Sequence, residues 1–514
     1  MIFSKEYYLD TFKVTEDEMR KLAAEGLRKG GDFCDLFFEN TSFRNLLLRD
    51  GQVTGGGFHI DYGVGIRVLK GERTGYAYSE STDYPSMKLA AEAAATIALT
   101  GKDGGNGAAF AHGELIEGQI AKLIRDAKDR AAAYTPSENN GGRPVRRFFQ
   151  GKPNPSADRY PMIEDWRDAD TAKLLPCLNR LDASIRAKDS RVVKVIAMIT
   201  ASVTDVLMYN SFEELKYDTR PMGSIVATVI FSQNGAMENK SVSRSFRMGV
   251  EMITDELIEE IAAQAVEGID ERFDARKPKG GQMPVVMGAG ASGILLHEAM
   301  GHAFEADFNR KGQSIFSDKM GCRICPPGIN IIDDGTVSCN RGAVNFDDEG
   351  VPGQKTYMVE DGILTSYLHD RISAKWYGVT ATGNGRRESF RYNPIPRMRA
   401  TYMESGNADK ESIIASVSKG IYVDQFSNGQ VKIGEGDFTF FVKSGFLIEN
   451  GRLTAPVKDI NIIGNGPQAL ADIAAVANDL KLDNGTWTCG KEQSVPVCCG
   501  IPTVLINNLT VGGE

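Results

Sequence analysis

The chain has 514 residues, 42% hydrophobic and 25% charged, the composition of an ordinary folded protein too long for a single core. Acidic residues outnumber basic ones 68 to 59, giving a formal charge of −9, and no dense Lys/Arg run appears, which argues against direct nucleic-acid binding. No secretory leader pattern and no membrane-spanning apolar run is visible, and 8 cysteines are too sparse for a disulfide scaffold, so a cytoplasmic protein with free thiols is expected.

In chain order, Thr15 and Glu18 form a capping box ahead of a helix that should end at Gly30 and Gly31. Strand-like runs at 34–40, 44–53 and 63–79, separated by Asp-Gly and Lys-Gly turns, predict consecutive hairpins. Helices are expected at 84–99 and 114–134. Residues 135–159 are rich in Pro, Gly and Asn, carry a basic-aromatic knot at 146–149, and read as a linker or inserted loop. Beyond it, 168–189 is helical in pattern, 191–211 and 223–235 are strand-like, and Thr254 caps a helix with acidic residues in its first turn. The C-terminal half is dominated by short strands and Gly turns, interrupted by one predicted helix at 467–480.

Without a regular βαβ rhythm, the fold class is α+β: a mixed N-terminal and middle region, then a β-rich C-terminal domain carrying the metal-site helix. The boundaries are 1–134 for the N-terminal domain, 135–159 for the linker, 160–279 for the middle segment and 280–514 for the C-terminal domain.

Two of only 5 histidines, His297 and His302, bracket Glu298 in the apolar run "LLHEAMGHAF". Zinc peptidases use H-E-x-x-H, where residues four apart share a helix face. Here the step is five, which puts the rings roughly 140° apart on an ideal helix. The helix must therefore widen into a π turn or depart from α geometry at Gly301. A third protein ligand is also needed, and on chemistry His369, several carboxylates, Cys489, Cys498 and Cys499 are all open; Cys489 sits in a Gly-flanked loop suited to close approach. His59 and His112 have no ligand-spaced neighbour and read as structural.

Gly288, Gly290 and Gly293 form G-x-G-x-x-G after a strand-like run, as in a dinucleotide site, but no acidic-ended second strand follows. Tight strand-to-helix packing is the alternative. Cys322 and Cys325 form a C-x-x-C without a second half, and read as two thiols in a turn.

The segments "LLHEAMGHAFEADF", "IIDDGT", "NFDDEGVPGQKT", "GVTATGNGRRESF", "SGFLIENGRLTAPV" and "NDLKLDNGTWTCGKEQSVPV" occur in an order that resembles the TldD/PmbA peptidases over nearly the whole chain, and the TldD branch in particular. That resemblance implies Zn²⁺ held by His297, His302 and Cys489, with Glu298 as general base. It implies a two-domain protomer, often paired with a PmbA/TldE-type subunit lacking the metal motif, or else a homodimer. It also implies a cleft that binds unfolded peptides as an added strand, hence zinc-dependent hydrolysis of flexible peptides with broad sequence tolerance. Assistants to the metal in matching segments would be His369, Arg386, Arg387 or Tyr402. The rival readings are a non-catalytic peptide-binding subunit and an oxidoreductase using the Gly288 loop.

Overall fold

The computed structural model describes residues 3–100 and 158–513. The expected helix at 114–134, His112, nearly all of the 135–159 linker and the 146–149 knot lie outside the described residues. The fold is α+β, with a β-rich C-terminal region, as the pattern predicts.

The chain begins with α1 (Lys5–Phe12) and α2 (Glu16–Leu27). Thr15 Oγ1 accepts from the Glu18 amide at 3.2 Å while Glu18 Oε2 accepts from the Thr15 amide at 2.9 Å, which is the expected capping box. The sequence reading did not anticipate α1: it is eight residues long, and only Tyr8 and Phe12 are buried.

Six antiparallel strands follow: β1 (Phe33–Arg49), β2 (Gln52–Lys70), β3 (Arg73–Ser79), β4 (Val192–Asn210), β5 (Leu215–Gln233) and β6 (Ala236–Phe246). Asp50 and Gly51 both adopt positive φ, the two-residue turn that suits the right-handed twist of a hairpin. The spatial order is β3-β2-β1-β4-β5-β6. The expected hairpins are present, and the β1–β4 pairing joins strands from before and after the 135–159 segment into one sheet. The apolar positions of α2 and of α3 (Tyr84–Thr100) cover one part of this sheet, around Leu36, Val64 and Ile66. Helices Thr171–Lys188 and Asp255–Val266 cover another, around Ala197, Ile199 and Val229.

In the C-terminal region β7 (Gly281–Met287) lies between Lys419–Val431 and Val504–Gly512. Strands Ile460–Asn465 and Asp437–Glu449 continue that sheet, and pairing of Lys419–Val431 with Asp437–Glu449 closes it into a barrel. A second sheet holds Ile331–Asp334, Ala400–Met403 and Cys498–Ile501 side by side. The helix predicted at 467–480 is only partly present: it spans Gly466–Ala471, and Ile473–Val476 instead pairs with Val504–Gly512. Alanine-rich local propensity is worth less there than a backbone ladder against the barrel. Among the described residues no helix is long and apolar enough to cross a membrane.

Buried charges seat the C-terminal region on the first sheet. Arg67, fully buried, donates to Asp35 of β1 and to Glu349 at 2.6 Å, and Arg220 donates to Asp348 at 2.6 Å. Glu39 of β1 is also buried and accepts from Thr41 Oγ1 and from the Phe390 amide, both at 2.7 Å. Burial pushes its carboxyl from the ordinary 4.5 up to about 7. The folded chain therefore holds a proton that the unfolded chain releases. The resulting stability is complete below about pH 4.5 and is lost as the pH rises through about 7, a swing of about 3 kcal/mol. Glu39→Gln is accordingly expected to raise stability relative to wild type at pH 8 and to leave it little changed near pH 5, as read by chemical denaturation at both. An equal effect at the two pH values would contradict this.

Candidate metal centre

The centre is built where β7 hands over to a helix. Gly288 and Gly293 are consumed by packing: a Cβ on Gly288 would lie 2.9 Å from the Val423 carbonyl, and one on Gly293 would lie 2.5 Å from the Gly500 amide. Gly290 has φ +96, a conformation that favours glycine. Contacts with neighbouring strands and backbone shape account for all three glycines without a ligand.

Helical backbone then runs from 291 to 304, and the stretch His297–Gly301 is a π turn. Of the two ways to reconcile a five-residue step with one ion, the widened turn is the one observed. Gly301 itself has ordinary helical φ and ψ, −56° and −49°. It is small for a different reason: a Cβ there would fall 2.1 Å from Met398 Sδ. With the extra residue in the turn, the His297 and His302 rings meet edge to face, 5.1 Å between centroids.

Cys489 comes from strand Thr488–Lys491, which pairs with Gln493–Pro496 in a hairpin. Arg397, buried, clamps that hairpin by donating to the carbonyls of Cys489 at 2.7 Å and Gln493 at 2.9 Å. The thiol is thereby delivered to the histidines. One ligand atom from each of His297, His302 and Cys489 lies within 4.8 Å of the others, and all three residues are buried. Cys489 Sγ is 3.3 Å from His302 Nε2, against about 3.6 Å between a sulfur and a nitrogen on one tetrahedral zinc. His297 Nδ1 is buried without a hydrogen-bond partner, which leaves a donor atom unclaimed by the protein. Two imidazoles and a thiolate are borderline-soft donors that suit zinc.

Without a metal, the electrostatics favour a thiolate on Cys489 paired with a protonated His302. Burial opposes ionisation of the Cys489 thiol, but His297 and His302 overcome it and hold the thiol at about 4. His302 Nδ1 lies 3.1 Å from Glu305 Oε2, which holds a proton on that ring nitrogen and leaves Nε2, 3.3 Å from Cys489 Sγ, as the atom that would give up its proton to a metal. Burial would lower the His302 imidazolium, yet the Glu305 carboxylate and the Cys489 sulfur raise it well above its usual value. Glu305 is fully buried; despite that burial, Lys491, His302 and Arg397 hold its carboxyl down at about 2. Lys491 Nζ sits 3.0 Å from Glu305 and 2.7 Å from Asp307.

Glu298, next to His297, is half-buried, and its side chain passes Gly429, where a Cβ would stand 3.5 Å from Glu298 Cγ. Burial raises its carboxyl above the ordinary value, with His297 and His302 acting the other way.

The remaining candidates stand elsewhere, and the cluster includes none of them. Cys498 accepts from Asn340 Nδ2 at 3.1 Å, and burial raises the thiols of both Cys498 and Cys499. Arg386 donates to the Met398 and Pro496 carbonyls, Arg387 to the Asp348 carbonyl and Tyr76, and the Tyr402 hydroxyl to Asp334. His369 packs against Tyr377, its imidazole lowered to about 4 by burial. Cys322 is exposed and Cys325 buried, both as free thiols. The sequence reading missed Glu305, Lys491 and Arg397. A carboxylate three residues after a candidate ligand on helical backbone was a readable signal for Glu305; the other two needed the tertiary fold.

Comparison with known proteins gives these features their context. Residues 34–98, 164–270 and 280–513 match, in that order, domain 1, the central domain and the C-terminal domain of the PmbA/TldA metallopeptidases. A metalloprotease TldD homolog of Haemophilus influenzae is 37% identical over 488 residues, covering 94% of this chain and 93% of its own. A zinc metalloprotease TldD homolog of Saccharolobus solfataricus is 32% identical over 258 residues, 50% of this chain and 57% of its own. The crystal structure of TldE from Thermococcus kodakarensis shares the fold, with a TM-score of 0.68 at 18% identity, over 96% of this chain and 100% of that one. The class so defined is that of a metalloprotease, a hydrolase. The chain belongs to the TldD/PmbA family and is similar to its TldD members.

Because Glu305 hydrogen-bonds to His302, Glu305→Gln is expected to weaken metal binding at this cluster by about 10- to 100-fold without unfolding the chain. Competition with a chromophoric chelator measures this, and an unchanged affinity would remove Glu305 from the site.

Proposed function

We propose that this protein is a zinc-dependent, cytoplasmic peptidase that hydrolyses unfolded or flexible peptides with broad sequence tolerance, acting with a TldE-type subunit or a second copy of itself. The observation that carries the reading is the convergence of His297, His302 and Cys489, with Glu298 beside them. A relative named as a zinc metalloprotease supports the choice of metal.

In this reading His297, His302 and Cys489 hold the ion, and Glu305, through His302 Nδ1, fixes one imidazole in the ligating tautomer. Zinc bound there would supply Lewis acidity to the scissile carbonyl and to the attacking water. Glu298 accepts a proton from that water and returns it to the leaving nitrogen. Its upward-shifted carboxyl suits both halves of that transfer, because it is a better base than an exposed glutamate and still gives the proton back. The buried setting of the ligands strengthens each of these electrostatic interactions.

The test measures zinc in the purified protein and cleavage of a disordered peptide before chelation, after it, and after zinc is returned. The assays run with and without a TldE-type subunit. About one zinc per chain, with activity lost on chelation and restored by zinc, is the expected result. Cleavage that persists in metal-free protein would overturn the reading.

A further inference from the structure

A cleft of about 440 Å³ separates the middle region from the barrel. β6 and the segment 264–275 form one wall, and strands Lys419–Val431 and Asp437–Glu449 form the other. Ala289 and Ala291, at the start of the helix that bears His297, also line it.

The interior of the cleft carries buried cations that no carboxylate contacts directly; Glu267, Asp424 and Glu271 act on Lys240, and Glu238, Asp424 and Asp459 on Arg272, only from a distance. Lys240 and Arg272 both line it and are each 6% exposed. Their hydrogen bonds go to neutral oxygens: Lys240 donates to the Glu267 carbonyl, and Arg272 to the Asn239 carbonyl at 3.0 Å and to Gln425 Oε1 at 3.1 Å. Lys443 lines the cleft and is half-buried. Burial and then the Arg272 guanidinium lower the ammonium groups of both Lys240 and Lys443. Cations that are buried against neutral groups and press on one another are costly unless an anion joins them.

The carboxylates that line the cleft, Glu267, Glu271 and Asp424, are exposed. Solvent screens those exposed carboxylates more than it screens the buried cations, so the interior keeps a positive field for an anion. Val242, Phe446 and Val457 add apolar surface suited to the flanking part of a ligand. We propose that this cleft is a subsite for the C-terminal carboxylate of a peptide substrate, held by Lys443 with Lys240 and Arg272.

The inference rests on the peptidase reading above and specifies its substrate class. Ala291 and His297 are six helical residues apart, about 9 Å along the axis. Three extended residues span about 10 Å. A peptide anchored by its C-terminus and running along this helix from Ala291 would bring a bond about three residues from that terminus level with His297.

The experiment compares one disordered peptide as free acid and as C-terminal amide. KM is measured for both with the zinc-loaded wild type and Lys443→Gln. Calorimetric Kd is measured for both with Glu298→Gln, alone and combined with Lys443→Gln. The free acid is expected to show a KM and a Kd about tenfold below those of the amide, the effect of one charge-assisted contact. Lys443→Gln brings that ratio close to one, and products map to cleavage about three residues from the C-terminus. Equal constants for acid and amide, or a preference that survives both Lys443→Gln and Arg272→Gln, overturn the subsite while continued cleavage leaves the peptidase reading standing. If neither peptide is cleaved with or without a TldE-type subunit, the peptidase reading fails and calorimetry decides the subsite alone: acid-selective binding lost with Lys443 upholds a carboxylate site, and equal binding removes it.

Discussion

Glu298→Gln is expected to lower kcat for a disordered peptide by about 10²- to 10⁴-fold, the usual contribution of a positioned general base, while the protein keeps its zinc. The two effects separate because Glu298 lies outside the His297, His302 and Cys489 cluster. The side chain is half-buried against Gly429, and glutamine matches its shape, so packing is preserved and only the proton acceptor is removed. Rate and bound metal are measured on the same preparation. Undiminished cleavage would exclude Glu298 as the base, and loss of zinc together with activity would place it among the ligands instead.

Cys489→Ser should act on the metal itself. The thiol is held at about 4 by His297 and His302 against the opposing effect of burial, so at neutral pH it is already the thiolate a metal requires. A serine hydroxyl in its place remains neutral and is a poor zinc ligand. The loss of affinity should exceed about 100-fold, beyond what an outer partner such as Glu305 commands. Cobalt substitution gives an independent readout: wild-type protein should show a near-ultraviolet thiolate-to-metal band that is absent from Cys489→Ser. A band that survives the substitution would transfer the sulfur ligand to another cysteine.

The helix pattern and turn chemistry were legible where the signals are local. Thr15 and Glu18 announced the start of α2, and Asp50-Gly51 the β1–β2 turn, because capping and hairpin geometry depend on a few adjacent residues. The helix read at 467–480 shows the limit of that reasoning. A strand partner hundreds of residues from β7 but adjacent in space, Val504–Gly512, recruits Ile473–Val476 into a ladder that local propensity cannot anticipate.

The same division runs through the candidate site. From the sequence alone, the five-residue step between His297 and His302 required either a widened turn or a backbone break, because the angular period of a helix allows no other way to bring both rings to one ion. Only the tertiary structure decided between them, with the π turn at His297–Gly301, and it gave Gly301 a different purpose, the close approach of Met398. Spacing left the third ligand open among several thiols, carboxylates and His369. The Arg397 clamp on the 488–496 hairpin brings Cys489 to the histidines, whereas Cys498 is occupied with Asn340. Likewise, nothing local ties Lys491 to Glu305, or Lys443 to Arg272. Those charges meet because separate strands and helices fold over one another, and whether a buried charge has a counter-ion is settled by distances across elements that a linear sequence does not contain.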